Sequence, residues 1–163
     1  MQSSLNRLYK KKFYKNRNED TVYSAKKIIS LIETNFNKNS LIVDVGCGTG
    51  TWLSVLENEY SCKTIGYEGQ WLEERLYEPN GELFKLNLES DNLAFDKLKK
   101  IDLIICLEVF EHLSIKKCIE LINTFSQNSD LVLFSAAIPN QGGTNHINEK
   151  KLSYWVKLFN EKG

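Results

Sequence analysis

The stretch that decides the fold reads Leu41-Ile42-Val43-Asp44-Val45-Gly46-Cys47-Gly48-Thr49-Gly50. Its first five residues hold four apolar side chains, and such a run predicts a strand that is buried on both faces of a sheet. The glycines after the strand let the backbone approach a ligand closely. Residues 51–58, which follow directly, predict a helix. This succession of strand, glycine loop and helix indicates a ligand site at the carboxyl edge of a parallel sheet.

Strand and helix patterns alternate along the rest of the chain. Strands are predicted at residues 41–45, 63–67, 82–86, 102–107 and 131–134. Helices are predicted at residues 21–36, 51–58, 70–76, 93–98, 114–127 and 148–160, with Ser114 as an N-cap. The alternation predicts an α/β fold, a doubly wound, Rossmann-like, mostly parallel sheet with strand order 3-2-1-4-5 and helices on both faces.

Composition bounds the class of protein. The chain has 163 residues, which fits one domain, and its 42% hydrophobic and 26% charged residues are typical of a globular protein. Because Lys plus Arg equals Asp plus Glu, at 21 each, a nucleic-acid partner is disfavoured. The sequence has no apolar run of membrane-spanning length and no signal-peptide core near its start. We therefore expect no membrane partner and a cytoplasmic protein.

Two further features bear on organisation and on metal binding. Residues 1–18 are basic and carry no acid, so we divide the chain into a basic arm at residues 1–20 and a domain at residues 21–163. The arm is either a solvated segment or a lid that attracts an anionic substrate. The cysteines, which form no CxxC pair, are Cys47, Cys62, Cys106 and Cys118. Since zinc sites usually need closely paired ligands, we expect no metal.

The glycine loop and the acid before it indicate the kind of ligand. The glycines are spaced GxGxG, whereas the fingerprint for NAD pyrophosphate is GxGxxG. Asp44 would repel a pyrophosphate but could hold an ammonium group, which disfavours an NAD-dependent oxidoreductase. Glu68 ends the second strand, where an acid can accept both hydroxyls of a ribose. Asn87, after the third strand, could reach an adenine amino group.

These residues carry a family resemblance. Residues 43–50 resemble motif I of the class I S-adenosylmethionine-dependent methyltransferases, and Glu68 matches their second-strand acid. Residues 108–113, Glu-Val-Phe-Glu-His-Leu, are similar to the fourth-strand segment EVxEHL of the small-molecule branch. Asn87 stands where this family more often has Asp, although an Asn oxygen can still accept a hydrogen bond.

The resemblance implies S-adenosylmethionine as the cofactor and S-adenosylhomocysteine as its product. Asp44 would orient the amino end, Glu68 would bind the ribose, and Asn87 with Leu88 would flank the adenine. The implied cofactor-binding residues are Asp44, Gly46, Cys47, Gly48, Gly50, Trp52, Glu68, Gly69, Asn87, Leu88, Leu107 and Glu108. The last two would lie near the methyl group, and Trp52 has core packing as a second interpretation.

The two histidines of the chain, His112 and His146, both follow strands at the expected ligand edge. Methyl transfer needs placement and exclusion of water, and an oxygen or nitrogen acceptor can also need a base. We take His112, and next Glu111, as the catalytic candidates, with a structural role for His112 as the alternative. The loop at residues 135–146 is rich in glycine, amides and hydroxyls, which would suit a sugar-like acceptor.

The leading hypothesis is S-adenosylmethionine-dependent methyl transfer to oxygen or nitrogen of a small-molecule or glycan acceptor. The alternative is an inactive methyltransferase-like nucleotide-binding subunit that acts through association; cofactor binding without turnover would favour it.

The number of predicted strands is smaller than the family's usual seven. We expect a truncated or reduced sheet in which strand five, at residues 131–134, lies at an open edge. Three interpretations of that edge remain: the chain is a fragment, its last helix covers the edge, or a partner covers it, for instance in a homo-oligomer.

Overall fold

The computed structural model describes residues 18–72, 80–98 and 100–162. Within these ranges the strands are β1 (Leu41–Val45), β2 (Lys63–Glu68), β3 (Glu82–Lys85), β4 (Leu103–Leu107) and β5 (Val132–Ser135). The α-helices are α1 (Asn18–Ile32), α2 (Thr51–Tyr60), α3 (Ile115–Asn128) and α4 (Leu152–Asn160). Short 3-10 helices occupy Glu33–Asn35, Phe95–Lys97 and Phe110–His112.

The five strands form one parallel sheet in the order β3-β2-β1-β4-β5. β1 lies at its centre, where Asp44 is opposite Gly66 of β2 and Ile105 of β4. The predicted fold class and strand order are confirmed. Because the order reverses between β1 and β4, the loops that follow these two strands diverge and open a crevice at the carboxyl edge.

The sheet carries a hydrophobic layer on each face. Ile42 and Ile105 belong to a buried cluster with α1 and α2, whereas Val43 and Ile104 belong to a second cluster with α3 and α4. Successive side chains of a strand point to opposite faces, so this division places helices on both sides of the sheet, as predicted. Burial on both faces explains why the sequences of the central strands are nearly continuous apolar runs.

Some element bounds differ from the predictions. α1 begins at Asn18, inside the predicted arm, and the arm's residues 1–17 lie outside the described residues. The predicted helix at residues 70–76 also falls largely outside them, and the one at 93–98 is only a 3-10 turn. The last helix begins at Leu152 rather than at residue 148, because the Asn148 N–H donates to the Glu111 carbonyl and holds this segment extended.

The helix α3 was predicted accurately at its start. Ser114 has extended backbone angles, and its hydroxyl accepts a hydrogen bond from the Lys117 N–H at 3.3 Å. This is the N-cap arrangement that the sequence indicated.

β5 is an edge strand, and the described ranges contain no sixth strand. The helix α4 packs on one face of β5, where Phe134 meets Trp155 and Phe159 with ring centroids 5.9 and 5.4 Å apart. Leu152 and Val156 on the same helix remain 58% and 47% exposed. The last helix therefore covers one face of the strand and leaves apolar surface beside it.

The remaining sequence predictions concern membranes and cysteines. No helix among the described residues has the length and apolarity to cross a bilayer. All four cysteines are buried free thiols. Cys106 and Cys118 are fully buried in the core.

Trp155→Ala should lower the free energy of unfolding by about 3–5 kcal/mol, because the side chain is 1% exposed and its ring centroid lies 5.3 Å from that of Phe110. Val156→Ala, on the exposed side of the same helix, should cost only about 0.5 kcal/mol. Urea denaturation of both variants measures the difference. Equal losses would show that Trp155 does not anchor α4.

Candidate active site

The glycine loop is fastened to the end of β2. The backbone N–H groups of Gly46 and Cys47 both donate to the Tyr67 carbonyl, at 2.8 and 3.0 Å. Gly46 has φ +85°, and a Cβ at this position would collide with the Val109 side chain. Glycine is therefore required here both by the backbone angle and by the close approach of the loop after β4.

Glu68, the last residue of β2, joins the glycine loop to the loop after β2. Its Oε2 accepts a hydrogen bond from the Gly48 N–H at 2.6 Å, and its Oε1 accepts one from the Gly69 N–H at 2.8 Å. Burial raises the pKa of Glu68, and these two bonds offset part of that effect. Each carboxylate oxygen has a second lone pair, so Glu68 can still accept hydroxyl groups of a ligand.

Asp44 is a buried carboxylate without a hydrogen-bond partner. The residue is 3% exposed, and its side chain makes no hydrogen bond to any part of the chain that the structure describes. Burial raises the pKa of Asp44 well above its usual range, and the nearby charge of Glu68 raises it further. Because a buried carboxylate needs hydrogen-bond donors or a nearby cation to be stable as an anion, the position fits a ligand that carries an ammonium group.

The space beside the Gly48 backbone is empty. Gly48 has φ +55°, and a Cβ at this position would meet no atom within 4 Å. This open surface follows Asp44 in the chain and lies within hydrogen-bond distance of Glu68. It is a cradle that fits a ligand with an ammonium group at one end and hydroxyls further along.

Three of the other predicted cofactor residues have local structural roles. Trp52 is half-buried and packs against the cluster of α1 and α2. The Leu88 side chain is buried in the opposite cluster. Asn87 is exposed, and its Oδ1 accepts a hydrogen bond from the Glu89 N–H at 3.1 Å. The structure thus brings Asp44 and Glu68 together, while Trp52 and Leu88 contact the core.

Glu108 makes an uncommon turn at the end of β4. It has φ +56°, in the left-handed region that residues other than glycine rarely adopt. Its N–H donates to the Ser135 carbonyl at 3.0 Å, and the Ser135 hydroxyl donates to its Oε1 at 2.7 Å. These bonds to β5 hold the turn, and Leu107 lies partly buried beside it.

Glu111, His112 and His146 converge just beyond this turn. Each offers one ligand atom, and these atoms lie within 4.8 Å of one another. The two imidazole rings meet edge to face, with centroids 5.0 Å apart. Glu111 is 1% exposed, and within the described residues its Oε2 has no hydrogen-bond partner. Burial raises the pKa of Glu111 to about 7 and lowers the pKa of His112.

The loop after β5 is tied to this cluster by its backbone. The N–H groups of Ile147 and Asn148 donate to the Glu111 carbonyl, at 2.8 and 3.1 Å. His146 Nδ1 lies 3.0 Å from Glu149 Oε1, and the Glu149 carboxylate also accepts bonds from two backbone N–H groups of the same loop. The sequence did not lead us to Glu149. Its position three residues after His146 was the signal that could have indicated their contact.

Comparisons with known proteins identify the family of the chain. A family model described as a methyltransferase domain matches residues 16–158. A search of curated proteins gives no significant match. The fold is similar to that of magnesium protoporphyrin IX methyltransferase from Synechocystis PCC 6803, solved with bound S-adenosylhomocysteine, with a TM-score of 0.63 and 17% identity. That match covers 88% of this chain and 73% of the other.

Two further solved structures show the same fold. A SAM-dependent methyltransferase from Archaeoglobus fulgidus gives a TM-score of 0.67 at 16% identity and covers 87% of this chain and 68% of the other. An O-methyltransferase family protein from Burkholderia thailandensis gives 0.67 at 13% identity, with 90% of this chain and 52% of the other covered. The chain therefore belongs to the methyltransferase domain family, and its fold is that of the class I enzymes that use S-adenosylmethionine.

Proposed function

We propose that the protein transfers a methyl group from S-adenosylmethionine to a hydroxyl or amine of a small-molecule or glycan acceptor. The observation that carries the proposal is the buried Asp44 carboxylate, which has no hydrogen-bond partner in the described chain and lies two residues before a glycine loop that is open at Gly48. The ammonium group of an amino-acid ligand would supply the positive charge that stabilises this buried carboxylate.

The cofactor would lie along the carboxyl edge of β1 and β2. Asp44 would hold its amino group, the Gly48 backbone would pass beside its methionine chain, and Glu68 would accept its ribose hydroxyls. Asn87 and Leu88 would contribute on the adenine side through the loop after β3. The bound cofactor supplies an electrophilic methyl group on a sulfonium, so the protein's own task is placement and exclusion of water.

The acceptor would approach from the side of β4 and β5. Leu107 ends β4 and Glu108 follows it, and Glu111 and His112 lie in the 3-10 helix that comes next. The loop at residues 136–151 lies over this cluster and offers amide and hydroxyl groups. Polar groups of this kind favour a hydroxylated acceptor, and the zero net charge of the chain disfavours a nucleic acid.

Asp44→Ala and Glu68→Ala should each weaken binding of S-adenosylhomocysteine roughly 10- to 100-fold, because each removes a charged hydrogen-bond acceptor worth about 1.5–3 kcal/mol. Glu82→Ala is the matched control, since Glu82 is an exposed acid at the opposite end of the neighbouring strand β3. Isothermal titration calorimetry measures all three. Unchanged affinity in both site variants would refute the cofactor assignment.

Gly48→Ala should weaken the same binding while leaving the fold intact, because the added methyl group would occupy the open cradle. Gly142→Ala is a closely matched control, since Gly142 also has positive φ, +69° against +55°, and also has open space at its Cβ position. Thermal denaturation should show similar small losses for the two variants. Equal affinity for S-adenosylhomocysteine in both would place the cofactor elsewhere.

His112→Ala should lower turnover more than it weakens cofactor binding, because His112 lies on the acceptor side of the crevice. Lys116→Ala, an exposed position on α3, serves as the control. The assay follows methyl transfer to an acceptor found by screening with isotope-labelled S-adenosylmethionine. Normal turnover in the His112 variant would give His112 a structural role, and cofactor binding without turnover on any acceptor would favour an inactive subunit.

A further inference from the structure

We propose that Glu111, His112 and His146 form a binding site for one divalent transition-metal ion. The three residues come from two loops, those after β4 and β5, and their ligand atoms lie within 4.8 Å of one another. Two imidazole nitrogens and one carboxylate oxygen form a donor set that suits Mn²⁺, Co²⁺ or Zn²⁺.

The buried Glu111 oxygen is an independent indication of a cation. Glu111 is 1% exposed, and no group of the described residues donates a hydrogen bond to its Oε2. Buried polar atoms in native proteins nearly always have a partner, since an unsatisfied one costs free energy. An ion at the point where the three side chains meet would provide that partner.

The second nitrogen of each histidine is already held in the way that metal-binding histidines usually are. His146 Nδ1 lies 3.0 Å from Glu149 Oε1, and His112 Nδ1 lies 3.3 Å from the Asn145 carbonyl oxygen. Such contacts fix the ring and its tautomer, and they leave the other ring nitrogen to bind an ion.

The charge around the cluster also favours a cation. Glu108 lies close enough to Glu111 for their carboxylates to interact, and Glu149 contacts His146. Three carboxylates therefore surround two imidazoles. The expectation that the chain has no metal rested on cysteine spacing, which does not address these residues.

An ion held by three protein ligands keeps coordination positions for other groups. If the proposed function holds, an acceptor oxygen is the ligand that those positions would take, because the cluster lies on the acceptor side. His112 and Glu111 would then act as metal ligands and would not serve as a base.

Calorimetric titration of the untagged full chain with MnCl₂, CoCl₂ and ZnCl₂ tests the site, without any cofactor present. We expect one ion per chain, and an affinity at least about tenfold lower in Glu111→Gln and in His146→Ala. Glu82→Gln, at an exposed acid far from the cluster, should bind the ion normally. Binding of S-adenosylhomocysteine by the same samples reports the cofactor site separately.

Imidazole NMR signals give a second readout that needs no variant. The chain has only two histidines, so Mn²⁺ at this site should broaden the signals of both at about one equivalent. The proposal is overturned if neither signal broadens, if no stoichiometric binding occurs up to millimolar ion, or if both variants retain full affinity.

Discussion

The Glu68 carboxylate is the interaction on which the site depends. It accepts hydrogen bonds from the Gly48 and Gly69 backbone N–H groups, and so it joins the loops after β1 and β2 at the carboxyl edge of the sheet. Both loops contain glycine where the carboxylate binds them: Gly48 has φ +55°, and a Cβ at Gly69 would collide with the Trp71 ring. This bridge acts together with the bonds from the Gly46 and Cys47 N–H groups to the Tyr67 carbonyl, which also hold the glycine loop against the end of β2.

The same arrangement places two acids where burial opposes their charge. Burial raises the pKa of both Asp44 and Glu68, and the charge of Glu68 raises that of Asp44 further. Glu68 offsets part of this cost through its backbone hydrogen bonds, whereas Asp44 has no such compensation in the described chain. A ligand ammonium group would stabilise Asp44 as an anion, so binding energy and the stability of the domain should rise together.

The sequence predicted the fold and the meeting of Asp44 with Glu68 at one edge of the sheet because the signals for both are local. β1 was predicted at its observed bounds, because a short, continuous apolar run that is followed by glycines is typical of a buried strand. The residues around Asp44 and Glu68 follow from strand order, which brings the ends of β1 and β2 together. The segment at residues 93–98 was predicted less well, because a few apolar residues cannot distinguish a short helix from the observed 3-10 turn.

The cluster of Glu111, His112 and His146 was harder to predict for a physical reason. The loop that carries His146 and Glu149 has no periodic pattern, and its path is set by backbone hydrogen bonds to the Glu111 carbonyl. Those bonds join residues that are far apart in the chain, so no local sequence pattern predicts them. The sequence could therefore name His112 and Glu111 separately, but it could not show that His146 meets them.

A crystal structure of the full chain with S-adenosylhomocysteine is the most direct test of the account. We predict the ligand's amino group within hydrogen-bond distance of the Asp44 carboxylate and both ribose hydroxyls within hydrogen-bond distance of Glu68. The sulfur should face the side of Glu108. A ligand whose amino group lies away from Asp44, or which binds outside the crevice between the loops after β1 and β4, would contradict it.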